Sequence, residues 1–411
     1  MLHENPLISV ISILGTALSI AMIMVVILVF QVQLASFQPE VNRDRMLYIL
    51  DGTEVVMKNG WSRGNMSAEV VRECFYSLKS PEAVSAWFNM PAPLSLPGKQ
   101  MYKTYNINYT DPGFWKIYRF SFKEGKPFSE TDFTSAIPQA VVCESVAKTL
   151  YGSTQAVGKP VIIDRKPYTI CGVVKDVSRA ADTSYGQVWV PYTTNQLMLN
   201  MAFYENMTGA FNICLLARES SDFETIRQEL KGQTARYNST KQDAQINFFH
   251  NPISRFDMAI GTVGQVKVEL KDYLTRMGGL LLFLLLVPAL NLMGVTQSAV
   301  QKRRQELAVR KAFGATYGVL IRQLLYENGV ISLLGGLIGL LLSFLLLPAC
   351  RNFLLHEADT VLQGDMLFRP EVFLAALLFC LLLNLLSAGI PALRIARQPI
   401  ADSLKGEEQD N

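Results

Sequence analysis

The residues best placed to bind a phosphate group are Gly152, Gly158 and Lys159. In a phosphate-binding loop, four residues separate the two glycines, and a Ser or Thr after the lysine reaches the magnesium ion. Here five residues separate the glycines, and Pro160 follows the lysine. A turn between a helix and a strand explains this stretch better. We therefore predict no nucleotide site on this chain.

Motifs for metals and nucleophiles are also missing from the sequence. Three widely separated histidines are present, and neither H-E-x-x-H nor G-x-S-x-G occurs. No cysteines are paired as C-x-x-C, although a disulfide among the first four stays open because spacing does not show pairing. The residues concerned are His3, His250 and His356, and Cys74, Cys143, Cys171 and Cys214. We predict no catalytic residue, metal or cofactor, although an enzyme whose acids or nucleophiles are gathered by the fold stays open.

One stretch, residues 301–327, has a charge pattern with a clear meaning. Its basic side chains stand between two apolar runs, which marks the cytoplasmic side of a membrane. They are Lys302, Arg303, Arg304, Arg310, Lys311 and Arg322. Glu306 stands four residues before Arg310, Leu307 and Phe313 add an apolar side, and Gly314 ends this predicted short helix at 301–315. Such a helix either binds anionic lipid or docks into a groove of a cytoplasmic protein.

The elements that position this loop are four apolar runs in a chain of 411 residues. They cover residues 7–32, 277–300, 319–349 (uncharged from residue 328) and 372–393, and each is long enough to span a bilayer as a helix. Pro288 kinks the second. A cleaved signal peptide is the alternative for the first run, but no Lys or Arg precedes it and its apolar core is too long. The net charge of +3 gives no reason to expect a nucleic-acid partner.

A cytoplasmic basic loop and four spans give one topology. The N-terminus (1–6), the loop and the tail (394–411) are inside, whereas residues 33–275 and 350–371 are outside. Arg43 and Arg45 disagree weakly, because they follow the first span on the outer side. The uncharged cores lack the ionisable groups of an ion-coupled carrier, so an energy source must lie on another chain. Gly335, Gly336 and Gly339 permit close helix packing, within one bundle or in a dimer.

The fold class predicted is a membrane protein with four transmembrane α-helices, arranged as one plus three. A large α/β plus β-rich extracytoplasmic domain is inserted between spans 1 and 2. We expect an α/β lobe at about 41–106 and 205–252, a β-rich insertion at about 107–195 and a stalk helix at about 253–275. Alternation and turn residues predict strands at 140–143, 160–164, 168–174, 187–190, 211–216 and 246–249. Helices are expected at 144–151, ended by Gly152, and at 222–237, capped by Ser221 or Asp222.

Three stretches of this sequence resemble MacB/FtsX-type ABC transporter permeases. They are QELAVRKAFGATYGVLIRQLLYENGVISLLGGLIGLLLS around the basic loop, VVCESVAKTLYG with AVGKPVIIDRKPYTICGVVKDVS in the outer domain, and PALRIARQPIADSLKGE after the last span. The resemblance implies a homodimer or a pseudo-symmetric heterodimer, and outer halves similar to the family's Porter and Sabre lobes. It also implies a separate cytoplasmic ATPase pair, which carries ATP and Mg and docks on the short helix. The residues assigned to that coupling are Arg303, Arg304, Glu306, Leu307, Arg310, Lys311, Phe313 and Gly314.

The function expected from this resemblance is mechanotransmission, in which ATP-driven motion of the partner reaches the periplasmic domain. Because MacB fuses an ATPase to its N-terminus and this chain starts near the first span, we expect the motor to act in trans. We also expect no full amphipathic segment of the kind that many relatives have before span one, because MLHENP is too short for one. We expect a bacterial inner-membrane subunit of a tripartite efflux pump for peptides, antimicrobials or lipid-linked substrates, with a periplasmic adaptor and outer-membrane channel. Lipoprotein release, regulation of a cell-wall hydrolase, and a membrane-anchored sensor without a motor are the alternatives.

Overall fold

The computed structural model describes residues 33–51, 53–98, 102–262 and 266–280 as the main body of structure. It also describes residues 10, 13–15, 17, 18, 21, 282, 283, 319, 322, 326, 329, 330, 333–342, 374 and 378. The chain divides into two compact units. One comprises Met1–Gln31, Lys271–Ala358 and Leu367–Asn411, and the other comprises Val32–Leu270 and Asp359–Met366. The sheets and numbered helices below belong to the second unit.

Among the residues described, no helix combines the length and the apolar character needed to cross a membrane. The predicted spans at 7–32, 277–300, 319–349 and 372–393 lie largely outside the described residues. The predicted cytoplasmic and outer segments at 1–6, 301–315, 350–371 and 394–411 lie wholly outside them.

A ten-stranded sheet is the main feature of the described domain. Its order is β14-β1-β12-β4-β5-β10-β7-β9-β6, and β8 pairs with both β4 and β9. These strands are β1 (Met46–Ile49), β4 (Ala83–Ser95), β5 (Lys103–Thr110), β6 (Phe122–Gly125), β7 (Gln139–Cys143), β8 (Pro160–Ile163), β9 (Lys166–Val174), β10 (Val188–Pro191), β12 (Asn212–Leu216) and β14 (Ile253–Ser254). Three of its interior strands, β1, β7 and β10, are buried along their length or nearly so, as expected for a sheet covered on both faces.

A smaller sheet has the order β11-β3-β2-β13. Its strands are β2 (Thr53–Met57), β3 (Gly60–Met66), β11 (Thr208–Gly209) and β13 (Ala244–Asn247). The described helices of this unit are α1 (Ala68–Val70), α2 (Pro112–Ile117), α3 (Glu130–Thr134), α4 (Glu144–Tyr151), α5 (Gln196–Leu199), α6 (Phe223–Ser239) and α7 (Arg255–Ala259). A π-helical turn, Val71–Phe75, extends α1, and 3-10 turns occupy Arg43–Arg45, Tyr192–Thr194 and Ser220–Asp222.

Helix α6 packs against the smaller sheet through buried Ile226, Leu230 and Tyr237. The Asn238 side chain at its end donates to the Ile246 carbonyl and accepts from the Ile246 N–H, both at 2.9 Å. These two bonds occupy the backbone groups at the centre of β13, the strand at the end of this sheet. The strand is thereby closed to pairing with another chain at that position.

The predicted strand, helix and hairpin at 140–174 are confirmed. Helix α4 buries Val146 and Ala147 and ends at Gly152, whose φ of 71° is in the left-handed region. Asp164 and Arg165 join β8 to β9 with φ values of 46° and 65°. Two positive φ angles are required by the two-residue turn that matches strand twist, so β8 and β9 are joined by a tight hairpin turn of that kind.

The predicted division of the domain into an α/β lobe and a β-rich insertion is wrong. The boundary between residues 106 and 107 falls inside β5, and β4 pairs with β5 over eight residues, from Trp87↔Thr110 to Leu94↔Lys103. Strand β4 also pairs with β12, so segments assigned to both parts share one sheet. The separate part of the domain is the smaller sheet with α6.

The predicted stalk helix at about 253–275 is also wrong as a single helix. Helix α7 ends at Ala259, and Gly261 has a φ of 98°. The Gly261 N–H donates to Met258 O (3.0 Å) and the Thr262 N–H donates to Asp257 O (2.9 Å), which is the hydrogen-bond pattern that terminates a helix at a left-handed glycine. Helical structure resumes at residues 270–280.

Helix α6 begins after a 3-10 turn, and the Asp222 carboxylate accepts from the Glu219 N–H (3.3 Å) instead of capping α6.

Candidate functional site

The residues predicted to couple the chain to a motor lie outside the described residues, as does Pro288. They are Arg303, Arg304, Glu306, Leu307, Arg310, Lys311, Phe313 and Gly314. Their role stays a prediction.

The three glycines predicted to pack between helices are described. They lie in the helical segment 333–342, where Gly335, Gly336 and Gly339 are buried. Leucines on the remaining surface of the same segment are exposed, including Leu337 at 48% and Leu341 at 72%. The glycines therefore share one covered side of the helix, which is the arrangement that close helix packing requires. What they pack against stays a prediction.

A cluster of four charges, three of them buried, lies where the described domain begins. Its members are Glu40, Arg43, Asp182, Thr183, Ser184 and Arg255, and we call them the entry cluster. Glu40, Arg43 and Arg255 are 0%, 1% and 7% exposed. Charged side chains are almost never buried to this degree unless each is paired. The cluster is the strongest candidate for a functional site in the described part of the chain.

Glu40 is the centre of the entry cluster. One carboxylate oxygen, Oε2, accepts from Arg43 Nε at 2.6 Å. The other, Oε1, accepts from Thr183 Oγ1 (2.8 Å), from Ser184 N (3.0 Å) and from Ser184 Oγ (2.9 Å). Burial alone raises the pKa of this carboxyl group, but Arg43 and Arg255 outweigh it and hold the pKa below its usual value. Glu40 is therefore ionised at neutral pH.

Arg43 donates to backbone carbonyls in two separate segments of the chain. Its Nη1 donates to Ala35 O (3.0 Å) and Gln33 O (3.3 Å), and its Nη2 donates to Ala180 O (2.7 Å). The guanidinium carbon also lies 4.0 Å from the centroid of the Phe37 ring. All of these contacts use the planar fork of an arginine, which a lysine does not reproduce.

Arg255 joins the start of α7 to Gln33 and Asp182. Its Nε donates to Gln33 O at 2.6 Å, and its Nη1 donates to Asp182 Oδ1 at 2.7 Å. Burial lowers the pKa of this guanidinium, but Asp182 and Glu40 outweigh that effect and raise it, so the group stays charged. Ser254 caps α7 with a reciprocal Ser254–Asp257 hydrogen-bond pair, which fixes Arg255 at the first helical position.

The entry cluster is therefore a balanced set of two cations and two anions that holds three distant stretches of chain. These are residues 33–43, the loop 180–184 before β10, and the start of α7. In the sequence, Arg43 stands out only as a weak exception to the charge rule. The available signal was Glu40 and Arg43, an acid and a base three residues apart directly after 35 uncharged residues, 5–39. Their partners Asp182 and Arg255 gave no local signal.

A second buried carboxylate, Asp111, is fully occupied by structural bonds. It accepts from Ser85 Oγ (2.7 Å), Ala86 N (2.8 Å), Phe114 N (2.9 Å) and Tyr76 OH (2.5 Å). Burial raises the pKa of Asp111. With four donors on two oxygens, this carboxylate caps α2 and ties it to β4, and it has no lone pair left for a substrate.

The four cysteines of the domain are free thiols, so the disulfide that the sequence left open does not form. Burial raises the pKa of Cys74, Cys143 and Cys171 to about 12. Within the described ranges, no three His, Cys, Asp or Glu side chains come close enough together to hold a metal ion.

Comparison with known proteins identifies two matching family models. The MacB-like periplasmic core domain matches residues 9–233, and the FtsX-like permease C-terminal domain matches residues 278–400. The chain is 23% identical over 301 residues to the uncharacterized ABC transporter permease YknZ of Bacillus subtilis, covering 73% of this chain and 70% of that protein. It is 25% identical over 308 residues to the macrolide export ATP-binding/permease protein MacB of Pasteurella multocida, covering 74% of this chain but 44% of that protein.

Among solved structures, the periplasmic region of MacB from Actinobacillus actinomycetemcomitans is 18% identical, with a TM-score of 0.35, covering 51% of this chain and 90% of that one. The chain spans less than half the length of the Pasteurella multocida ATP-binding/permease protein, of which the match covers 44%. The core-domain model alone matches more than half of the chain, and the permease model matches most of the remainder. The chain therefore belongs to the MacB/FtsX-type ABC transporter permease family.

Proposed function

We propose that this chain is the permease subunit of an ABC-type export complex. In this proposal a separate cytoplasmic ATPase supplies the motion, and the permease transmits it to an extracytoplasmic domain. The observation that carries the proposal is the entry cluster, supported by membership of the family. The cluster connects Gln33, which follows directly on the first apolar run, to the loop before β10 and to α7.

A transmitting subunit needs a stiff joint where the outer domain meets its membrane anchor. The entry cluster has the required properties, because Glu40, Arg43 and Arg255 are buried and each is paired with an opposite charge. Removing one partner from such a buried pair costs about 3–5 kcal/mol, several times more than a surface ion pair contributes. A displacement of residues 33–43 would therefore move the loop 180–184 and α7 with it instead of stretching the joint.

The coupling to the motor is assigned to the cytoplasmic loop. Arg303, Arg304, Arg310 and Lys311 provide positive charge, Glu306 pairs with Arg310, and Leu307 and Phe313 provide the apolar contact before Gly314 ends the helix. ATP and Mg bind to the partner ATPase. We propose an inner-membrane protein with four spans, with both termini in the cytoplasm and the domain of residues 33–275 in the periplasm.

The cargo and the further partners are proposed from the names of relatives. Relatives are named as macrolide export and pyoverdine export proteins. Export of a peptide, antimicrobial or lipid-linked compound is consistent with those names, and a periplasmic adaptor with an outer-membrane channel would complete the path. The functional unit would be a dimer with itself or with a paralogous permease, in which Gly335, Gly336 and Gly339 pack helices together.

The test is copurification of the full chain with its cognate ATPase and measurement of ATP hydrolysis in nanodiscs. Glu306→Lys and Arg310→Glu should each release the ATPase or abolish its stimulation by the permease. Lys405→Glu, a charge reversal in the C-terminal tail, is the matched control and should retain both. If the two loop variants bind and stimulate the ATPase as the control does, the chain is a membrane-anchored sensor or binding module and the proposal is wrong.

A further inference from the structure

The smaller sheet has one edge along which a short segment of β3 is not covered by another strand. Strand β3 pairs with β2 along Gly60–Gly64, whereas β11 pairs with β3 only at Asn65 and Met66. Among the strands that the structure describes, none lies beside residues 60–64 on the side away from β2. The segment is accessible, because Gly60 is exposed and Trp61 is 60% exposed. Proteins usually cover or block such an edge, since it pairs readily with a further strand.

The backbone of Trp61 is directed towards this uncovered side. At the other end of the sheet, the Asn238 side chain bonds both the N–H and the C=O of Ile246, so these groups point away from β2. The partner of Ile246 on β2 is Val55, and this pair is therefore of the non-bonded kind. Because bonded and non-bonded pairs alternate in antiparallel sheets, Val55 bonds to Ser62 on its other side. The next residue of β3, Trp61, then points its N–H and C=O outward from the sheet.

A glycine stands at each end of the uncovered segment. No atom lies within 4 Å of the position that a Cβ would take on Gly60 or on Gly64. Gly60 has a φ of 152° at the end of the hairpin turn, which explains a glycine there. Gly64 lies inside β3, and the described residues around it leave room for a side chain. Glycine within a strand often marks the close approach of another backbone.

The charged side chain of the segment is held over the face of the sheet. Trp61 and Arg63 project from the same face, because side chains alternate along a strand. The guanidinium carbon of Arg63 lies 4.5 Å from the centroid of the Trp61 ring, and its Nε lies 3.6 Å from Glu54 Oε1. Glu54 is the partner of Arg63 on β2, so the guanidinium leans towards β2 and away from the uncovered side.

We propose that residues 60–64 pair with the same residues of a second copy of this chain, antiparallel and about a two-fold axis at Ser62. In this register Trp61 lies opposite Arg63 of the second copy, Ser62 lies opposite Ser62, and Gly60 lies opposite Gly64. The Trp61–Arg63 pair is of the hydrogen-bonded kind and occurs twice by symmetry. The inference rests on the proposed function for the existence of a dimer, and it adds the surface through which the two outer domains meet.

The segment is complementary to itself, as a two-fold interface requires. The pairing brings the Trp61 ring of one copy beside the Arg63 guanidinium of the other, which is an attractive cation–π contact. The overlap stops at Gly64, the residue before β11 begins to pair. The glycine pairs at both ends bring no side chain against β11. The smaller sheets of the two copies would then form one continuous sheet.

The first experiment is a disulfide cross-link in the full-length protein in membranes. Opposed residues of a non-bonded antiparallel pair have Cα atoms about 4.5 Å apart, a distance that a disulfide spans. Ser62→Cys should therefore give a disulfide-linked dimer on mild oxidation. Lys58→Cys, at a side chain 77% exposed on the hairpin tip, is the control and should give none. The two tips would lie about three residues on either side of the axis, roughly 20 Å apart.

The second experiment removes the outward N–H of residue 61. Proline has no N–H, and the bonds between β2 and β3 stay in place because residue 61 makes none of them. In the Ser62→Cys protein, Trp61→Pro should abolish the cross-linked dimer, whereas Trp61→Phe, which keeps an N–H and a ring, should retain it. Circular dichroism checks that both variants fold. Equal cross-linking of the two would contradict pairing through the backbone.

The remaining outcomes separate the pairing from the proposed function. The unsubstituted protein, with its six cysteines, gives the background, and no dimer from Ser62→Cys above it would overturn the pairing. A disulfide from position 62 to a different protein, identified by mass spectrometry, would overturn it too. Stimulation of the ATPase is measured on the same preparation. Stimulation without a cross-linked dimer contradicts the pairing alone, whereas a cross-linked dimer without stimulation supports the pairing and contradicts the proposed function.

Discussion

Replacing Glu40 by Gln tests whether the entry cluster is the stiff joint of the domain. The substitution keeps the shape of the side chain and one oxygen, so the bonds from Thr183 and Ser184 can persist. The other end becomes an NH2 group that faces Arg43 Nε at the 2.6 Å position of the present ion pair, where two donors oppose each other. Arg43 is 1% exposed and then keeps its charge without its carboxylate partner.

The expected cost of leaving such a charge buried and uncompensated is about 3–5 kcal/mol. For a domain of this size, each kcal/mol lowers the midpoint of thermal unfolding by roughly 2–4 °C, so the shift should be about 6–20 °C. Tryptophan fluorescence of the full chain in nanodiscs is a suitable assay. The four tryptophans of the sequence, Trp61, Trp87, Trp115 and Trp189, all lie in the outer domain, so the signal reports that domain alone.

The matched control is Glu82→Gln, which removes the acid of a surface pair. Arg45 Nη1 lies 3.1 Å from Glu82 Oε2, and the two side chains are 26% and 51% exposed. Its loss should cost less than about 1 kcal/mol. A double variant, Glu40→Gln with Arg43→Gln, should be less destabilised than the sum of the two single variants, because it removes the unpaired charge. If Glu40→Gln costs no more than Glu82→Gln, the reasoning that makes the cluster a joint is refuted.

Four further predictions concern other groups in the domain. The pKa of Glu40 is lowered on folding, so its contribution to the free energy of unfolding is complete above the ordinary glutamate pKa of about 4.3 and is lost as the pH falls through the lower folded value. Urea titrations from pH 7 to pH 3 should therefore show a smaller loss of stability at low pH in Glu40→Gln than in the parent protein. Asp111→Asn should destabilise the domain by about 1–3 kcal/mol in the same titrations, since an amide cannot accept from all four donors, and an unchanged midpoint would contradict that count. The Cys74 thiol, with its pKa raised to about 12 by burial, should react with maleimide at pH 8 only after urea is added, whereas fast labelling of the folded protein would show that the site opens. Gly261→Ala should cost about 1–2 kcal/mol through backbone strain alone, because the nearest atom to a new Cβ is Val268 Cγ2 at 3.7 Å, and a gain in stability on thermal unfolding would exclude the strain.

The local elements of the domain could be predicted because their signals lie within a few residues. Helix α4 ends where Gly152 can adopt a positive φ, and the β8–β9 turn falls on Asp164 and Arg165. The family could also be identified from continuous motifs, and the two family models match the corresponding regions. In each case residues adjacent in sequence determine the outcome.

The arrangement of the strands depends on pairings that the sequence does not display. Strand β4 lies between β5, its neighbour in sequence, and β12, about 120 residues away. The residues of β4 do not indicate which strands it pairs with. The predicted boundary at residue 106 therefore separated strands that belong to one sheet. The predicted stalk helix is wrong for a local reason, because α7 ends at Ala259 and Gly261 adopts a φ of 98°.

The entry cluster has one part with a local sequence signal and another that depends on long-range contacts. Its Glu40–Arg43 pair is visible as an acid and a base three residues apart, whereas Arg255 lies more than 200 residues from the carbonyl that it binds. Burial turns these charges into a joint, and burial follows from the folded sheet. The candidate site could therefore be found only after the strands had been placed.

The left-handed glycine that terminates α7 limits the kinds of movement the domain can receive. The backbone hydrogen-bond ladder of α7 ends with the bonds from Gly261 and Thr262, so the ladder does not carry torsion about the axis of α7 past Gly261. Translation is different, because Arg255 clamps α7 to Gln33 and Asp182 at 2.6 and 2.7 Å. In the proposed function, a stroke that lifts or lowers residues 33–43 would therefore be passed to α7 and to the loop before β10.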